Sequence, residues 1–370
     1  MSGIYIHIPF CKQACHYCNF HFSTSTKYMD EMVGAICLEI SMRRNELDGQ
    51  KLETIYFGGG TPSLLSAQAL NQIFEIIYKH FSVMDDAEIT LEANPDDLSV
   101  ETLSHLSDSA VNRLSIGVQS FHDSELVWMN RAHSAIESMR CMEEVRNFGF
   151  QNFSIDLIYG LPHSSHELWA RNLEIAIDLN VPHVSMYALT VEPNTALGKW
   201  VEKGKEEEPN DGYVSTQFNM GISAMEEAKY HHYEISNYAI PGKEAIHNSN
   251  YWRSRHYIGI GPSAHSFTGK QRSMNVAHNV KYMNSILEGK LPSEKEQIDD
   301  VTRYNEYVMT RLRTTWGINT DELDQYKDHF KKEVEQLIKR GWVSQDGKIY
   351  RLTQAGKHFA DAAAAELFLV

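Results

Sequence analysis

Residues 4–18 read IYIHIPFCKQACHYC, an apolar run that leads directly into three closely spaced cysteines. The alternating, β-branched run is typical of a strand. Cys11, Cys15 and Cys18 then fall within eight residues, whereas the other two cysteines of the chain stand alone. Three thiolates on a loop after a strand can hold three irons of a cubane cluster, which leaves the fourth iron open to a ligand.

The main alternative for these cysteines is a zinc site with His16 or His21 as the fourth ligand. Zinc sites usually present paired Cys-x2-Cys knuckles, and the sequence has no second pair, so an iron–sulfur cluster is favoured. Met1 leads directly into the first strand without a basic or cleavable leader. Grouped cysteines in such a chain indicate a metal or redox site in the cytoplasm rather than a disulfide framework.

Short β-branched or aromatic runs alternate with amphipathic helical stretches through the first two thirds of the chain. The predicted strands lie at residues 3–8, 54–57, 88–92, 113–117, 153–158 and 183–190. Six such repeats predict an α/β fold in which parallel strands with right-handed crossovers form a partial (β/α)6 barrel. Residues that follow each strand are candidates for function, because the carboxyl ends of barrel strands form the active site.

A change of pattern near residue 270 predicts two domains, residues 1–270 and 271–370. The second is mainly helical, and Asp346-Gly347 between two short strand-like runs predicts a hairpin, as in a winged helix. Winged helices often bind DNA, but a fold alone does not establish a function. The net charge of −15 lies wholly in residues 1–270, and residues 271–370 carry none. This charge distribution argues against nucleic acid as a partner.

The strand, the Cys-x3-Cys-x2-Cys loop and the βα repeats together resemble the radical S-adenosylmethionine (SAM) superfamily. Residues 4–11, IYIHIPFC, are similar to the start of the oxygen-independent coproporphyrinogen III oxidase family, and the resemblance extends over essentially the whole chain. That family includes true oxidases and haem chaperones of the HemW type. The resemblance implies a [4Fe–4S] cluster on Cys11, Cys15 and Cys18, SAM on its open iron, and a low-potential electron donor.

The resemblance also implies where SAM binds, because family motifs recur at the predicted strand ends. GGGTP at residues 58–62 offers bare backbone to the SAM methionine, and EANP at residues 92–95 and GVQSF at residues 117–121 follow the next two strands. The implied SAM contacts are Tyr5, Tyr17, Gly59, Gly60, Thr61, Glu92, Gln119, Arg131, Asp156 and Tyr187. Taken singly, such a polar side chain is as readily explained by a structural hydrogen bond as by a contact with SAM. Arg131 is able to pair with either the SAM carboxylate or Glu92.

Two features separate the branches of the family. True oxidases carry a further cysteine two positions after the third, where this chain has Phe20. Residues 247–252 read HNSNYW and match the H-N-x-x-Y-W motif that resembles HemW-type chaperones. An imidazole for iron and aromatic rings for the porphyrin face suit haem. The implied haem residues are His247, Asn248, Tyr251 and Trp252. His265, in the Gly-rich turn at residues 259–266, is an alternative iron ligand.

The predicted function is therefore a cytoplasmic chaperone that binds haem, uses the cluster and SAM, and delivers haem to haem-requiring proteins. By resemblance, the recipients are membrane respiratory proteins. No apolar run of the sequence is long enough to cross a membrane, so membrane contact would be peripheral. The alternative is oxidative decarboxylation of coproporphyrinogen III in porphyrin biosynthesis. A DNA-binding metalloregulator is a third class, which the charge distribution disfavours.

Overall fold

The computed structural model describes residues 2–369. Its central feature is a sheet in which the first six strands pair in sequence order and run parallel. Strands β1 to β6 are Ser2–Ile8, Leu52–Gly59, Val83–Ala93, Arg113–Gln119, Phe153–Tyr159 and His183–Ala188. All six correspond to predicted strands, and the predicted α/β partial barrel is confirmed.

At least one helix connects each of these strands to the next. Helices α1 to α6 are Met29–Met42, Ala67–His80, Val100–Ser107, Asp123–Trp128, Ala135–Asn147 and His166–Asp178. Helix α2 shows why such segments are helical. The Ser66 side chain accepts a hydrogen bond from the Ala69 N–H at the N-cap, and Leu70, Ile73 and Ile77 form a buried stripe. The cap contributes about 1 kcal/mol, and the stripe packs the helix on the sheet.

The sheet continues past both edges of the predicted barrel. Helices α7 to α10 are Ala196–Glu202, Asp211–Glu227, Ile246–Trp252 and Asn279–Leu287. Strands β7 to β12 are His231–Glu234, Asn237–Ala239, His256–Ile260, His265–Phe267, Gln271–Asn275 and Ser293–Gln297. Strands β7 and β8 add antiparallel beyond β6, whereas β9 runs parallel beside β1 and β10 to β12 follow it antiparallel. The sequence predicted none of these six strands.

A buried ion pair joins helix α1 to the strands added beside β1. Glu39 and Arg43 lie one turn apart on α1, and their Oε1 and Nη1 atoms are 3.2 Å apart. Arg43 donates to the Gly259 carbonyl at 2.6 Å. Glu39 accepts from the Gly261 N–H at 2.8 Å and from the Tyr282 hydroxyl at 2.6 Å. Because each buried charge is paired and hydrogen-bonded, this network can hold β9 and α10 in place without an uncompensated charge.

The last seventy or so residues form a second hydrophobic cluster, which includes Val308, Phe330 and Leu337. Its helices α11 to α14 are Asp300–Leu312, Lys327–Lys339, Gln354–Lys357 and Ala360–Glu366. Its strands β13 to β15 are Ile318–Asn319, Val343–Asp346 and Ile349–Leu352. Strands β14 and β15 form the predicted hairpin, and Gly347 in its turn has a φ of +59°. The arrangement of helices and a β-hairpin is winged-helix-like.

The predicted division after residue 270 falls between two strands that pair with each other, β10 and β11. Strands β11 and β12 extend the large sheet, and the second hydrophobic cluster begins at Tyr304 on α11. We therefore propose that the boundary between the two units lies between β12 and α11.

Replacing Glu39 with alanine tests the buried network. The change leaves the Gly261 N–H, the Tyr282 hydroxyl and one side of Arg43 without their shared acceptor. We expect the free energy of unfolding to fall by about 3–5 kcal/mol, measured by urea denaturation. Glu31→Ala on the exposed face of the same helix is the control, with an expected change below about 0.5 kcal/mol. Equal stability of the two variants would contradict the role of the network.

Candidate functional site

A cavity of about 460 Å³ lies at the carboxyl ends of the parallel strands. The predicted site residues that line it are Cys11, Cys15, Tyr17, Cys18, Gly59, Gly60, Thr61, Glu92, Gln119, Arg131, Asp156, Tyr187 and Asn248. Of the predicted SAM contacts, only Tyr5 lies elsewhere, in a second cavity. The structure thus brings residues from eight separate stretches of the chain to one place.

The three cysteines lie half-buried on the irregular loop that follows β1, and their thiols are free. The Cys11 N–H donates to the Ser23 carbonyl at 3.0 Å, and the Cys18 N–H donates to the Cys15 carbonyl at 3.3 Å. Burial raises the pKa of the Cys11 thiol to about 11 and also raises the pKa of Cys18. These two thiols therefore need a metal to hold them as thiolates near neutral pH.

The arrangement fits a polynuclear cluster better than one zinc ion. Within residues 2–369, no group of three or more His, Cys, Asp or Glu side chains is placed to hold a single metal ion. His16 donates to the Trp128 carbonyl at 2.8 Å, and His21 donates to the Asn279 side chain at 2.7 Å. Each of these hydrogen bonds uses one ring nitrogen, so the bonds by themselves do not exclude either histidine as a zinc ligand. A cubane binds each thiolate at a different corner, so its three cysteines need not converge.

Gly59 and Gly60 bring the end of β2 against the start of the cysteine loop. The Gly60 N–H donates to the Ile8 carbonyl at 2.9 Å, and the Thr61 N–H donates to the Phe10 carbonyl at 2.7 Å. A Cβ on Gly60 would lie 2.5 Å from the Phe10 carbonyl oxygen, and Gly59 has a φ of +106°. The glycines line the cavity, but they are also required by the close approach of the two backbones.

Two carboxyl groups face the cavity from β3 and β5. Glu92 accepts from the Tyr56 hydroxyl at 2.8 Å and from the Gly59 N–H at 3.1 Å. Burial raises the pKa of Glu92 to about 7, and the nearby Asp156 adds to this shift. Burial also raises the pKa of Asp156 to about 6, against the opposing effect of a hydrogen bond with Ser185. When ionised, both groups can accept hydrogen bonds from the hydroxyl or ammonium groups of a ligand.

Arg131 hydrogen-bonds both the cysteine loop and the end of β4. Its Nη1 donates to the Cys15 sulfur at 3.2 Å, and its Nη2 donates to the Gly117 carbonyl at 2.7 Å and to the Asn94 side chain at 2.5 Å. Its buried Nε has no partner within residues 2–369. The sequence allowed Arg131 to pair with either the SAM carboxylate or Glu92, and these contacts include no bond between Arg131 and Glu92. The guanidinium instead complements the negative charge of a metal-bound thiolate.

Sequence reasoning missed several residues of the cavity wall that lie on the same strands as the motifs. The missed residues include Arg113, Ser115, Ser154, His183 and Ser185. They precede the motif residues at intervals of two along β4 to β6. Alternate residues of a strand face the same side. Counting back two residues at a time from each motif residue would therefore have identified these wall residues.

Models of protein families match two parts of the chain. The radical SAM superfamily matches residues 5–176, and the HemN C-terminal domain matches residues 298–359. The structure is similar to that of coproporphyrinogen III oxidase (HemN) from Escherichia coli, described as a radical SAM enzyme. The TM-score is 0.86 over 99% of this chain and 90% of that chain, at 22% identity, which shows a shared fold.

Three relatives are similar over nearly their full length. The heme chaperone HemW of Bacillus subtilis is 33% identical over 365 residues, or 96% of each chain. Its namesake in Escherichia coli is 32% identical over 99% of this chain and 98% of its own. This chain belongs to the HemW haem chaperone family. The HemW of Mycobacterium tuberculosis is 31% identical over 99% of this chain and 94% of its own. The radical SAM domain of this family implies a [4Fe–4S] cluster and SAM as cofactors.

In this member of the HemW family, Phe20 occupies the position where the true oxidases carry their additional cysteine. Its side chain is 73% exposed and lines both cavities together with Asn19. A phenyl ring has no ligating atom, so the cysteine loop offers three thiolates. Family membership and this substitution favour the chaperone prediction over the oxidase alternative.

The HemW motif lies on helix α9, and its histidine is fully enclosed. His247 is 2% exposed, its Nδ1 is 2.7 Å from the Thr54 hydroxyl, and its Nε2 is 2.8 Å from the Tyr251 hydroxyl. Its ring also stacks on Tyr56, with ring centroids 4.8 Å apart. Both ring nitrogens are engaged, so His247 would have to give up one of these hydrogen bonds to bind iron, and its role as a ligand stays a prediction.

The second cavity has a volume of about 570 Å³ and shares Asn19 and Phe20 with the first. It holds Tyr251 from the motif and His265, the alternative iron ligand. Trp252 lines neither cavity. The structure therefore separates the predicted haem residues between the two cavities and the interior.

Replacing Cys15 with alanine removes one of the three cluster ligands. We expect the reconstituted variant to lose the [4Fe–4S] absorption and most of its bound iron, measured by optical spectroscopy and iron analysis. Cys37→Ala, which removes a buried thiol of helix α1, is the matched control and keeps the cluster. A cluster spectrum retained by the Cys15 variant would refute the ligand assignment.

The raised pKa of Glu92 predicts a pH dependence of stability in the cluster-free protein. Its usual value is 4.5 and its folded value is about 7, so the folded chain binds this proton more tightly. That contribution is fully present below pH 4.5 and is lost as the pH rises through 7. Glu92→Gln cannot ionise, so its stability to urea should fall less between these values than that of the wild type. Glu101→Gln, an exposed control, should keep the wild-type slope; an equal slope in all three would contradict the prediction.

Proposed function

We propose that this protein is a radical SAM haem chaperone, which binds haem and passes it to haem-requiring proteins with the help of a [4Fe–4S] cluster and SAM. The observation that carries the proposal is the near full-length similarity to chaperones of the HemW family. Phe20 in place of the oxidases' cysteine supports it, as does a second cavity beside the cysteine loop.

The residues present fit the two cofactors. Reductive cleavage of SAM is the chemistry that the cluster supplies when bound. Cys11, Cys15 and Cys18 would hold the cluster, and the side chains around the first cavity would orient SAM and exclude water. Arg131 has an unpartnered buried N–H available to a ligand carboxylate. Glu92 is an acceptor for ligand hydroxyl or ammonium groups.

The other predicted SAM contacts divide by position. Gln119 and Tyr187 face the first cavity from the ends of β4 and β6. Tyr5 lies behind it, where its ring stacks on Tyr56 with centroids 6.0 Å apart. Its proposed role is therefore to support the wall through Tyr56, which hydrogen-bonds Glu92, rather than to contact SAM directly.

The recipients, the electron donor and the location are also proposals. We propose that haem passes to membrane respiratory proteins through peripheral contact, and that a low-potential donor reduces the cluster in the cytoplasm. All five cysteines are free, which fits a reducing compartment. Within residues 2–369, none of the helices combines the length and the apolar character that a membrane crossing needs.

One assay separates the chaperone from the oxidase. The cluster is reconstituted without oxygen, and SAM, a low-potential reductant and coproporphyrinogen III are supplied, with the Escherichia coli oxidase as positive control. We expect no protoporphyrinogen from this protein, and stoichiometric binding when haem is supplied instead. Turnover of coproporphyrinogen III, or the absence of haem binding, would refute the proposed function.

A further inference from the structure

The second cavity has the composition of a porphyrin site. Its volume of about 570 Å³ lies within the ~300–1,000 Å³ range of small-molecule sites. Aromatic side chains reach it from four elements: Tyr5 on β1, Tyr251 on α9, Tyr257 on β9 and Phe267 on β10. Flat apolar rings are the surfaces against which a macrocycle packs.

One histidine of this cavity has a free ring. His7 and His21 also line the cavity, but His7 has both ring nitrogens engaged, Nε2 with the His21 carbonyl at 2.9 Å and Nδ1 with a tyrosine hydroxyl at 3.2 Å. His21 has Nε2 engaged with the Asn279 side chain at 2.7 Å, which leaves it one nitrogen, whereas His265 keeps both. The exposed His265 on β10 has no side-chain hydrogen bond or ion pair within residues 2–369. Partial burial and the charge of Arg272 lower the pKa of His265. Its imidazole is therefore neutral at physiological pH, which is the form that binds iron.

Two guanidinium groups lie in the cavity, and only one of them is free. Arg272 is paired with Glu306 on α11, with Nη2 and Oε1 2.6 Å apart. The exposed Arg255, which directly precedes β9, has no carboxylate partner within the described chain. An unpaired guanidinium is a bidentate donor for a carboxylate, and haem carries two propionates.

We infer that haem is bound in the second cavity, with the His265 imidazole as iron ligand and Arg255 paired with a propionate. This inference rests on the proposed function, because it assumes that the protein binds haem. His247 is then a positioning residue, which holds the Tyr251 ring against the cavity from behind through its 2.8 Å hydrogen bond.

The inference also gives Phe20 a role. Asn19 and Phe20 directly follow Cys18 and form a wall common to both cavities. A ring that is 73% exposed in the cavity wall becomes covered when a porphyrin packs against it. Helix α11 adds Met309 and Thr310 to the lining of the second cavity, so both units of the chain contribute to the haem site.

Haem titration into the protein with a reconstituted, oxidised cluster tests the iron ligand. The readout is electron paramagnetic resonance of ferric haem, because the oxidised [4Fe–4S] cluster is silent. We expect the wild type to show histidine-ligated haem and His265→Gln to lose that signal. His247→Gln should bind haem more weakly, because the Tyr251 ring loses its support, but the haem that it binds should keep the histidine-ligated signal. Added imidazole should restore the signal in His265→Gly. Cluster absorption and thermal melting show that each variant is folded.

The propionate contact has its own test. Arg255→Gln should weaken haem binding at least fivefold and leave the affinity for haem dimethyl ester unchanged. Arg140→Gln, an exposed arginine remote from the cavity, is the matched control and should bind both as the wild type does.

The outcomes distinguish an error in the proposed haem site from an error in the proposed haem-binding function. A wild-type signal retained by His265→Gln, or lost in a folded His247→Gln, would overturn the ligand assignment. Equal weakening of haem and its dimethyl ester by Arg255→Gln would overturn the propionate contact. Failure of the wild-type protein to bind haem would instead refute the proposed function itself.

Discussion

The close contact between the backbone of Gly60 and the end of β1 determines where the cysteine loop lies. Carbonyl groups of Ile8 and Phe10 accept hydrogen bonds from the turn after β2, at a separation that leaves no room for a side chain at position 60. The cysteines that follow Phe10 are thereby held over the carboxyl ends of the strands. Arg131 holds the same loop through a second contact, with the Cys15 sulfur. Gly60 and Arg131 both line the first cavity, so the two contacts that hold the loop are part of its wall.

The six barrel strands were predictable because each is a β-branched run bounded by turn residues and followed by a helical period. Strand β9 was not, since it is short and glycine-containing, and its partner β1 lies roughly 250 residues earlier in the sequence. Gly259 in β9 is needed because a Cβ there would lie 1.9 Å from the His265 carbonyl oxygen. A requirement of this kind comes from tertiary packing and leaves no periodic signal in the sequence.

In the candidate site, too, the sequence motifs predict which residues lie together, whereas tertiary packing determines which of them make contact. Motifs at strand ends identified most of the first cavity, because parallel strands bring their carboxyl ends together. The hydrogen-bond partners of the site residues were not predictable. Arg131 contacts Cys15, and His247 is enclosed by Thr54 and Tyr251. Both outcomes depend on distances between segments far apart in the chain. The free ring of His265 is likewise visible only once the neighbouring histidines have been assigned their own hydrogen bonds.

The parallel pairing of β1 with β9 has a consequence for synthesis. The strand that covers one edge of β1 is made roughly 250 residues after β1 itself. At ~5–20 residues per second, that edge stays unpaired for more than ten seconds. Unpaired strand edges are templates for aggregation. Pairing with β2 covers only the other edge of β1, so the edge that β9 covers stays exposed until residues 256–260 arrive.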